Sequence, residues 1–102
     1  MDVSIESRLP EVVGLCRRLG VRRLDLFGSA TRADFDPSRS DIDLLVTLEP
    51  MPPARYAAAF FDLKTELEAL FQRPVDLLTE AGLQNPYRRA RVDSERMPLY
   101  GG

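Results

Sequence analysis

Residues 40–46 of this chain read SDIDLLV, and they follow a shorter apolar stretch at residues 26–29 that reads LFGS. Asp41 and Asp43 alternate with apolar residues, as side chains do in a strand with one buried face. Because successive strand side chains point to opposite sides, both acids are expected on one face of a sheet. Asp is depleted in strands, and two carboxylates about 6 Å apart repel by roughly 3 kcal/mol at an effective dielectric near 20. A divalent cation with oxygen ligands, of the kind that Mg²⁺ prefers, would offset this repulsion and would imply phosphate chemistry.

A third acid, Asp76, lies inside another apolar stretch, residues 75–79, which reads VDLLT and predicts a strand. If this strand lies beside the one that carries Asp41 and Asp43, all three carboxylates can reach one face of the sheet. Three carboxylates on adjacent strands would hold two metal ions, one orienting a triphosphate and the other activating a hydroxyl for in-line displacement at phosphorus. We therefore predict that Asp41, Asp43 and Asp76 are catalytic metal ligands.

The Gly-Ser pair after the first strand supplies complementary chemistry. Gly28, at a strand end, lets a phosphate approach the backbone closely, and the Ser29 hydroxyl with nearby amides can hold phosphate oxygens. A Gly-Ser pair or an Asp-x-Asp motif alone is common in turns and caps. Both motifs in this order, followed by an isolated Asp in a third strand, are much more specific. We therefore predict that Gly28 and Ser29 bind phosphate.

Plainer structural roles are open for the same acids. Asp41 and Asp43 could form a solvated strand face or cap a turn, and Asp76 could pair with Arg73 or another arginine. The first alternative leaves the depletion of Asp in strands and the repulsion between the two carboxylates without a reason. The metal-binding interpretation is therefore favoured.

The remaining pattern alternates helices and strands. Apolar residues at helical spacing from Ile5 to Leu19 predict a first helix that ends at Gly20. Pro10 fits best in its first turn, which leaves the start of the helix open by several residues. The other predicted elements are a strand at residues 21–27, a polar loop at 31–40, a strand at 41–48, and a helix from Asn85 and Pro86 to about Glu95.

The longest helical pattern, residues 54–71, predicts a core helix. The single cysteine, Cys16, falls on the apolar stripe of the first helix and is interpreted as a core residue. The tail at residues 97–100, which reads MPLY, is too apolar for a free end, so we expect it to pack or to contact a partner. The residues of the long helix interpreted as core are Tyr56, Phe60, Phe61, Leu63, Leu67, Leu70 and Phe71.

The composition excludes several classes of function. With 102 residues, the chain is expected to form one domain over residues 1–102, with no second module for a large substrate. The net charge of −2 argues against a dedicated nucleic-acid-binding domain, which would carry a basic face. The sequence contains no apolar stretch of membrane-span length, and its N-terminus lacks the pattern of a signal peptide. A cytoplasmic location is therefore expected.

These motifs together resemble a known family, the minimal nucleotidyltransferases of the polymerase-β-like superfamily. The similarity extends over nearly the whole chain, including Leu99 and Tyr100 at its end. The segments that carry it are LFGS at residues 26–29, Arg32, SDIDLLV at 40–46 and VDL at 75–77.

The resemblance implies an α+β fold with a small mixed β-sheet packed by helices. It implies that Asp41, Asp43 and Asp76 bind Mg²⁺, that two ions are present, and that Gly28 and Ser29 hold the phosphates of ATP. Many members of the family are antitoxins paired with HEPN-domain toxins, which are ribonucleases. The resemblance therefore implies an antitoxin that transfers AMP from ATP to a tyrosine of a HEPN toxin, in a hetero-oligomeric complex, and so neutralises it.

Two departures from the family pattern stand out. Eleven residues separate Ser29 from Asp41, one more than the ten expected, and Ala33 stands where a glycine commonly follows the arginine. A longer loop changes how the phosphate-binding turn meets the strand. Rate and nucleotide preference are therefore the properties expected to differ.

Two hypotheses from different classes follow. The first is a Mg²⁺-dependent adenylyltransferase that acts on a protein, and the presence of all three acids favours it. The second is a binding module with the same fold that neutralises its partner by steric contact, with little catalysis. A small-molecule nucleotidyltransferase ranks third, because those enzymes resemble this domain plus an additional helical domain.

Overall fold

The computed structural model describes residues 2–31 and 41–101, except the side chain of Ser29. Two short 3₁₀ turns, Gly28–Thr31 and Glu80–Gly82, follow the first and third strands. The four helices are α1 (Val3–Glu6), α2 (Leu9–Leu19), α3 (Pro53–Phe71) and α4 (Pro86–Glu95). The four strands are β1 (Val21–Phe27), β2 (Ile42–Leu48), β3 (Val75–Thr79) and β4 (Met97–Tyr100).

The strands form one mixed sheet in the order β3-β2-β1-β4. β1 pairs antiparallel with both β2 and β4, whereas β2 and β3 run parallel. A parallel pair needs a crossover connection, and α3 supplies it between β2 and β3. The predicted α+β fold with a small mixed sheet is confirmed.

The two faces of the sheet are covered differently. Helices α1, α2 and α3 pack on one face and form the large core, to which Leu24, Leu44 and Leu67 belong. On the opposite face, which we call the α4 face, Val92 of α4 packs with Phe27, Leu45, Leu78 and Leu83. The α4 face therefore carries a much smaller apolar cluster, and polar side chains occupy part of it.

The predicted first helix is in fact two helices. Ser7 and Arg8 form a turn between α1 and α2, and Pro10 lies in the first turn of α2, as predicted. A continuous helix would set the Pro10 ring against the carbonyl of Glu6, four residues earlier, which explains the break. Gly20 ends α2 in the left-handed conformation at φ 76°, as its position predicted.

The prediction for the buried stripe of α3 was partly wrong. Tyr56 is 36% exposed because it lies in the exposed first turns at residues 53–58. Phe61 is 62% exposed because, midway between the buried Ala59 and Leu63, it lies on the opposite side of the helix. Phe60 and Leu70 are only partly buried against the core. The fully packed stripe repeats every four residues, as Ala59, Leu63, Leu67 and Phe71.

The tail at residues 97–100 is a strand of the sheet. β4 pairs with β1, and Leu99 is buried in the large core with Tyr100 packed against it. The segment is therefore an integral edge strand. Cys16 is buried, as predicted, and burial raises the pKa of its thiol to about 12. Arg32 and Ala33, with most of the predicted polar loop, lie outside the described residues.

The helices within the described ranges include none with the length and apolar character that crossing a membrane requires.

Candidate active site

The parallel pairing of β2 and β3 brings two of the predicted acids together. Asp43 and Asp76 are direct register partners on the two strands. Ile42 and Leu44 point into the large core, so the alternation of the strand turns Asp43 to the α4 face. Asp41 lies one residue before β2 and is exposed. The predicted arrangement of acids on neighbouring strands is thus present in the fold.

The three carboxylates share one electrostatic environment. Partial burial raises the pKa of Asp43 to about 6, and the negative charges of Asp76 and Asp41 add to the increase. Arg88 opposes this shift, and Glu95 contributes to it. The α4 face therefore concentrates negative charge around Asp43, in a position where a bound cation would relieve it.

Gly28 packs directly against this acid cluster. Its φ of 74° lies in the left-handed region that favours glycine. A Cβ built at this position would lie 2.4 Å from Oδ2 of Asp43, closer than any ordinary contact. Glycine is therefore required both by the backbone and by the neighbouring carboxylate. The backbone of Ser29 lies in the same 3₁₀ turn, which the Thr31 hydroxyl closes by donating to the Gly28 carbonyl at 2.7 Å.

These groups border a small cleft of about 180 Å³ between the sheet and α4. The contribution of α4 to this cleft was not predicted from the sequence. The sequence contained a signal for it. The Asn85 cap sets the start of α4, and side chains three or four residues apart along the helix then lie on one face. The residues that line the cleft are Phe27, Gly28, Asp43, Arg88, Arg91, Val92 and Glu95.

Glu95 joins α4 to the glycine turn. Its Oε2 accepts a hydrogen bond from the backbone N–H of Gly28 at 3.2 Å. Its Oε1 lies 3.5 Å from Nε of Arg91, one helical turn earlier. The carboxylate thus contacts two groups that are able to bind an anion.

A buried ion pair fixes the end of α4 against the sheet. Asp25 on β1 is fully buried, and its Oδ2 accepts from Nε and Nη2 of Arg96 at 2.8 and 2.5 Å. Arg96 also donates to Asp93 at 2.9 Å. Burial disfavours the Arg96 charge, but the bonds to Asp25 and Asp93 outweigh it and leave its pKa raised. This cluster holds the residue next to Glu95 in place.

The donor chemistry at the cleft fits a divalent metal ion. Asp41, Asp43 and Asp76 offer hard carboxylate oxygens with unbalanced charge, which Mg²⁺ prefers. Within residues 2–31 and 41–101, no three acidic or cysteine side chains are close enough to form a complete metal site. The metal-binding role of the three acids, and the phosphate-binding role of Gly28 and Ser29, therefore stay predictions.

Comparisons with known proteins identify the family. The model of the nucleotidyltransferase domain matches residues 11–99. A solved structure provisionally assigned as a minimal nucleotidyltransferase is 36% identical, covers 96% of each chain and superposes with a TM-score of 0.76. A search of curated protein sequences found no significant match.

Two toxin-antitoxin structures share the fold at lower identity. One is the complex of tri-AMPylated Shewanella oneidensis HEPN toxin with MNT antitoxin, matched at 19% identity, a TM-score of 0.63, and 95% and 72% of the two chains. The other is a toxin-antitoxin crystal structure with AMP-PNP, at 20% identity, a TM-score of 0.65, and 92% and 73% of the chains. Because the domain model matches residues 11–99 and the 36% identical structure matches almost the full length, this chain belongs to the nucleotidyltransferase domain family, among the minimal nucleotidyltransferases.

Proposed function

We propose that this protein is a Mg²⁺-dependent nucleotidyltransferase that transfers AMP from ATP to a tyrosine of a HEPN-domain toxin and thereby acts as its antitoxin. The observation that carries the proposal is the register pairing of Asp43 with Asp76 on the face where Gly28 meets Asp43. The fold of the toxin-antitoxin structures supports the choice of partner. We place the reaction in the cytoplasm, where ATP is supplied.

Asp43 lines the cleft, and the charges of Asp41 and Asp76 act on it from nearby, while two arginines line the side formed by α4. Asp41, Asp43 and Asp76 would hold the metal, which when bound withdraws charge from the phosphates and makes the acceptor hydroxyl easier to deprotonate. Arg88 and Arg91 line the same cleft from α4 and suit phosphate oxygens, because a guanidinium offers several donors in one plane. Carboxylates and guanidiniums therefore surround the position proposed for the triphosphate.

The proposed reaction is one displacement at the α-phosphorus of ATP. The tyrosine oxygen forms a bond to that phosphorus, the bond to the bridging oxygen breaks, and pyrophosphate leaves with its electron pair. The hydroxyl proton passes to a carboxylate or to solvent. Asp76, exposed on the outer strand of the parallel pair, and Asp41, also exposed, are the carboxylates that an approaching partner can reach.

A protein acceptor fits the size of the cleft. Pockets that enclose a drug-sized ligand measure about 300–1,000 Å³, whereas this cleft measures about 180 Å³. It can hold part of a nucleotide but has no room to enclose an acceptor as well. We therefore expect the acceptor hydroxyl to be delivered by another protein, whose surface completes the site.

The decisive experiment removes the charge of the acids and keeps their shape. Asp41→Asn with Asp43→Asn, co-expressed with the HEPN partner, is expected to bind it but to transfer no AMP, so the toxin stays active. Mass spectrometry of the purified partner measures the added AMP. Asp62→Asn, which removes a carboxylate from an exposed position of α3, is the control and should modify the partner normally.

The two hypotheses give different results in this experiment. If the wild-type protein leaves the partner unmodified and the double variant still silences it, the proposed transfer is wrong and the fold acts as a steric binding module. If the partner carries AMP only with wild-type and Asp62→Asn proteins, the enzyme hypothesis is supported.

A further inference from the structure

We infer that the carboxylate of Glu95 occupies the position of a nucleotide phosphate when the cleft is empty, and that a bound triphosphate displaces it from Gly28 and Arg91. This inference rests on the proposed function, because it assumes that the cleft binds a nucleotide. It assigns a role to a residue of α4 outside the acid motif.

The first support is the hydrogen bond from the Gly28 backbone to Glu95. The glycine turn after β1 is the place predicted to receive phosphate, and its N–H donates to Oε2 of Glu95 at 3.2 Å. Carboxylate and phosphate oxygens accept the same charge-assisted bonds from backbone N–H groups. One N–H cannot serve both anions fully, so the carboxylate competes with the phosphate.

The second support is that another group touched by Glu95 also suits a phosphate. Nε of Arg91 lies 3.5 Å from Oε1 of Glu95, and Arg91 is 69% exposed. Because the Arg91 end of this ion pair is open to solvent, whereas Glu95 is 19% exposed, the guanidinium can exchange one anion for another. A guanidinium binds phosphate as well as carboxylate. An incoming triphosphate can therefore take over the bonds from both Gly28 and Arg91.

The third support is the balance of charge in the cleft. Glu95 adds its negative charge to the field around Asp43, where Asp41 and Asp76 already contribute. A triphosphate would bring still more negative charge, so its binding is favoured if Glu95 rotates away. The bond between Arg96 and Asp25 fixes the neighbouring backbone. The exchange therefore involves a side-chain rotation of Glu95, with α4 in place.

The test measures ligand binding to the full chain by calorimetry. The ligands are a non-hydrolysable ATP analogue, inorganic tripolyphosphate and adenosine, each with Mg²⁺. Glu95→Gln, which keeps the shape but removes the charge, is expected to bind both phosphate ligands roughly three- to tenfold more tightly than wild type, as expected when one weak competing anion is lost. Adenosine binding should not change. Glu11→Gln, which removes an exposed carboxylate from α2, is the control and should match wild type.

A double-mutant cycle tests the role of Arg91. Arg91→Gln should weaken tripolyphosphate binding, and by a larger factor in the Glu95→Gln background, because Arg91 there no longer exchanges one anion for another. Equal factors in both backgrounds would contradict the exchange. Thermal unfolding without ligand verifies that each variant is folded. Glu95→Ala, which takes the side chain away from Gly28, must change phosphate affinity in the same direction.

The outcomes separate this inference from the proposed function. If wild type binds the ATP analogue and Glu95→Gln binds it equally or more weakly, the displacement is overturned and the proposed function stands. A matching gain for adenosine would also overturn it, since phosphate would not be the competitor. If neither protein binds the analogue or tripolyphosphate, the nucleotide site and the displacement both fail.

Discussion

Asp25 and Asp43 show how one sheet face treats two carboxylates in different ways. Both side chains point to the α4 face from adjacent antiparallel strands. Asp43 is the register partner of Phe27, and Phe27 follows Asp25 by two residues on β1. Asp25 is fully buried and accepts two short hydrogen bonds from Arg96. Asp43 is half-buried, and within the described residues it forms no salt bridge, while other acids surround it.

The difference identifies which acid is structural. A buried carboxylate bound by a guanidinium has its charge compensated inside the chain and is not available to another cation. A partly buried carboxylate beside like charges destabilises the free protein, and a bound cation would offset this cost. Asp25 therefore anchors α4, and Asp43 is the candidate for ligand chemistry.

The largest effect is expected when the partner of Asp25 is removed. Arg96→Met keeps most of the aliphatic volume but leaves a buried carboxylate without its main cation. Breaking such a pair costs about 3–5 kcal/mol, and we expect the lower end because Nε of Arg23 also lies 2.8 Å from Asp25. Urea unfolding measures the loss.

Arg88→Met is the matched control for Arg96→Met. It removes an exposed arginine of the same helix that lines the cleft, and its free energy of unfolding should change by less than about 0.5 kcal/mol. Equal losses for both variants would show that Asp25 does not depend on Arg96.

A second, smaller effect is expected at the glycine that touches Asp43. Gly28→Ala places a Cβ 2.4 Å from Oδ2 of Asp43 and requires a left-handed alanine. The backbone strain alone costs about 1–2 kcal/mol, and the contact moves Asp43, so both stability and AMP transfer should fall. Thermal unfolding and the AMP-transfer assay with the partner measure the two effects.

Gly14→Ala is the control for Gly28→Ala. Gly14 lies inside α2, with no atom within 4 Å of an added Cβ. Alanine there should stabilise the protein by about 0.5–1 kcal/mol through helix propensity and should leave transfer unchanged. A Gly28→Ala variant that is as stable and active as Gly14→Ala would contradict the close packing around Asp43.

The sequence predicted three of the four strands well, because β1, β2 and β3 depend on local patterns, whereas β4 was interpreted only as an apolar tail. Alternating Asp and apolar residues at β2 and an isolated Asp in β3 predicted a shared face for Asp43 and Asp76 on the condition that the two strands are neighbours, and the structure pairs them in parallel. Gly20 and Asn85 were equally local signals, since each satisfies a helix end within a few residues.

Long-range pairing was not accessible from the sequence. Asp25 lies in an apolar strand just as Asp76 does, but its partner Arg96 is 71 residues away and is brought near only by the α4–β4 connection. Arg73, the arginine proposed as a partner for Asp76, pairs with Asp2 and Ser4, which lie 71 and 69 residues away. The sequence shows that an acid is isolated in a strand. Only the fold shows whether a cation of the same chain balances its charge, as Arg96 does for Asp25.

The predicted buried stripe of α3 was partly wrong, also because burial depends on where other elements lie. Helical periodicity predicts which side chains share a face, but not how far along the helix the neighbouring elements extend. Tyr56 is exposed on the first turns of α3, whereas Phe71 is buried where the helix meets the core. Phe61 is exposed because it lies opposite the stripe of Ala59 and Leu63. The contribution of Glu95 to the cleft was not predicted either, since it depends on where α4 lies over the glycine turn.

The smallest expected effect is also the sharpest test of the comparison. Asp43→Asn should raise the free energy of unfolding of the ligand-free protein by about 1 kcal/mol, because it removes a partly buried charge and its repulsion from Asp76 and Asp41, which solvent only partly screens. Added Mg²⁺ should raise the unfolding temperature of wild type but not that of the variant, since the carboxylate that would bind it is lost. Asp62→Asn, at an exposed position of α3, should respond to Mg²⁺ as wild type does. If Asp43→Asn instead destabilised the protein by more than 1 kcal/mol, as removal of a compensated charge would, Asp43 would be a structural acid of the same kind as Asp25.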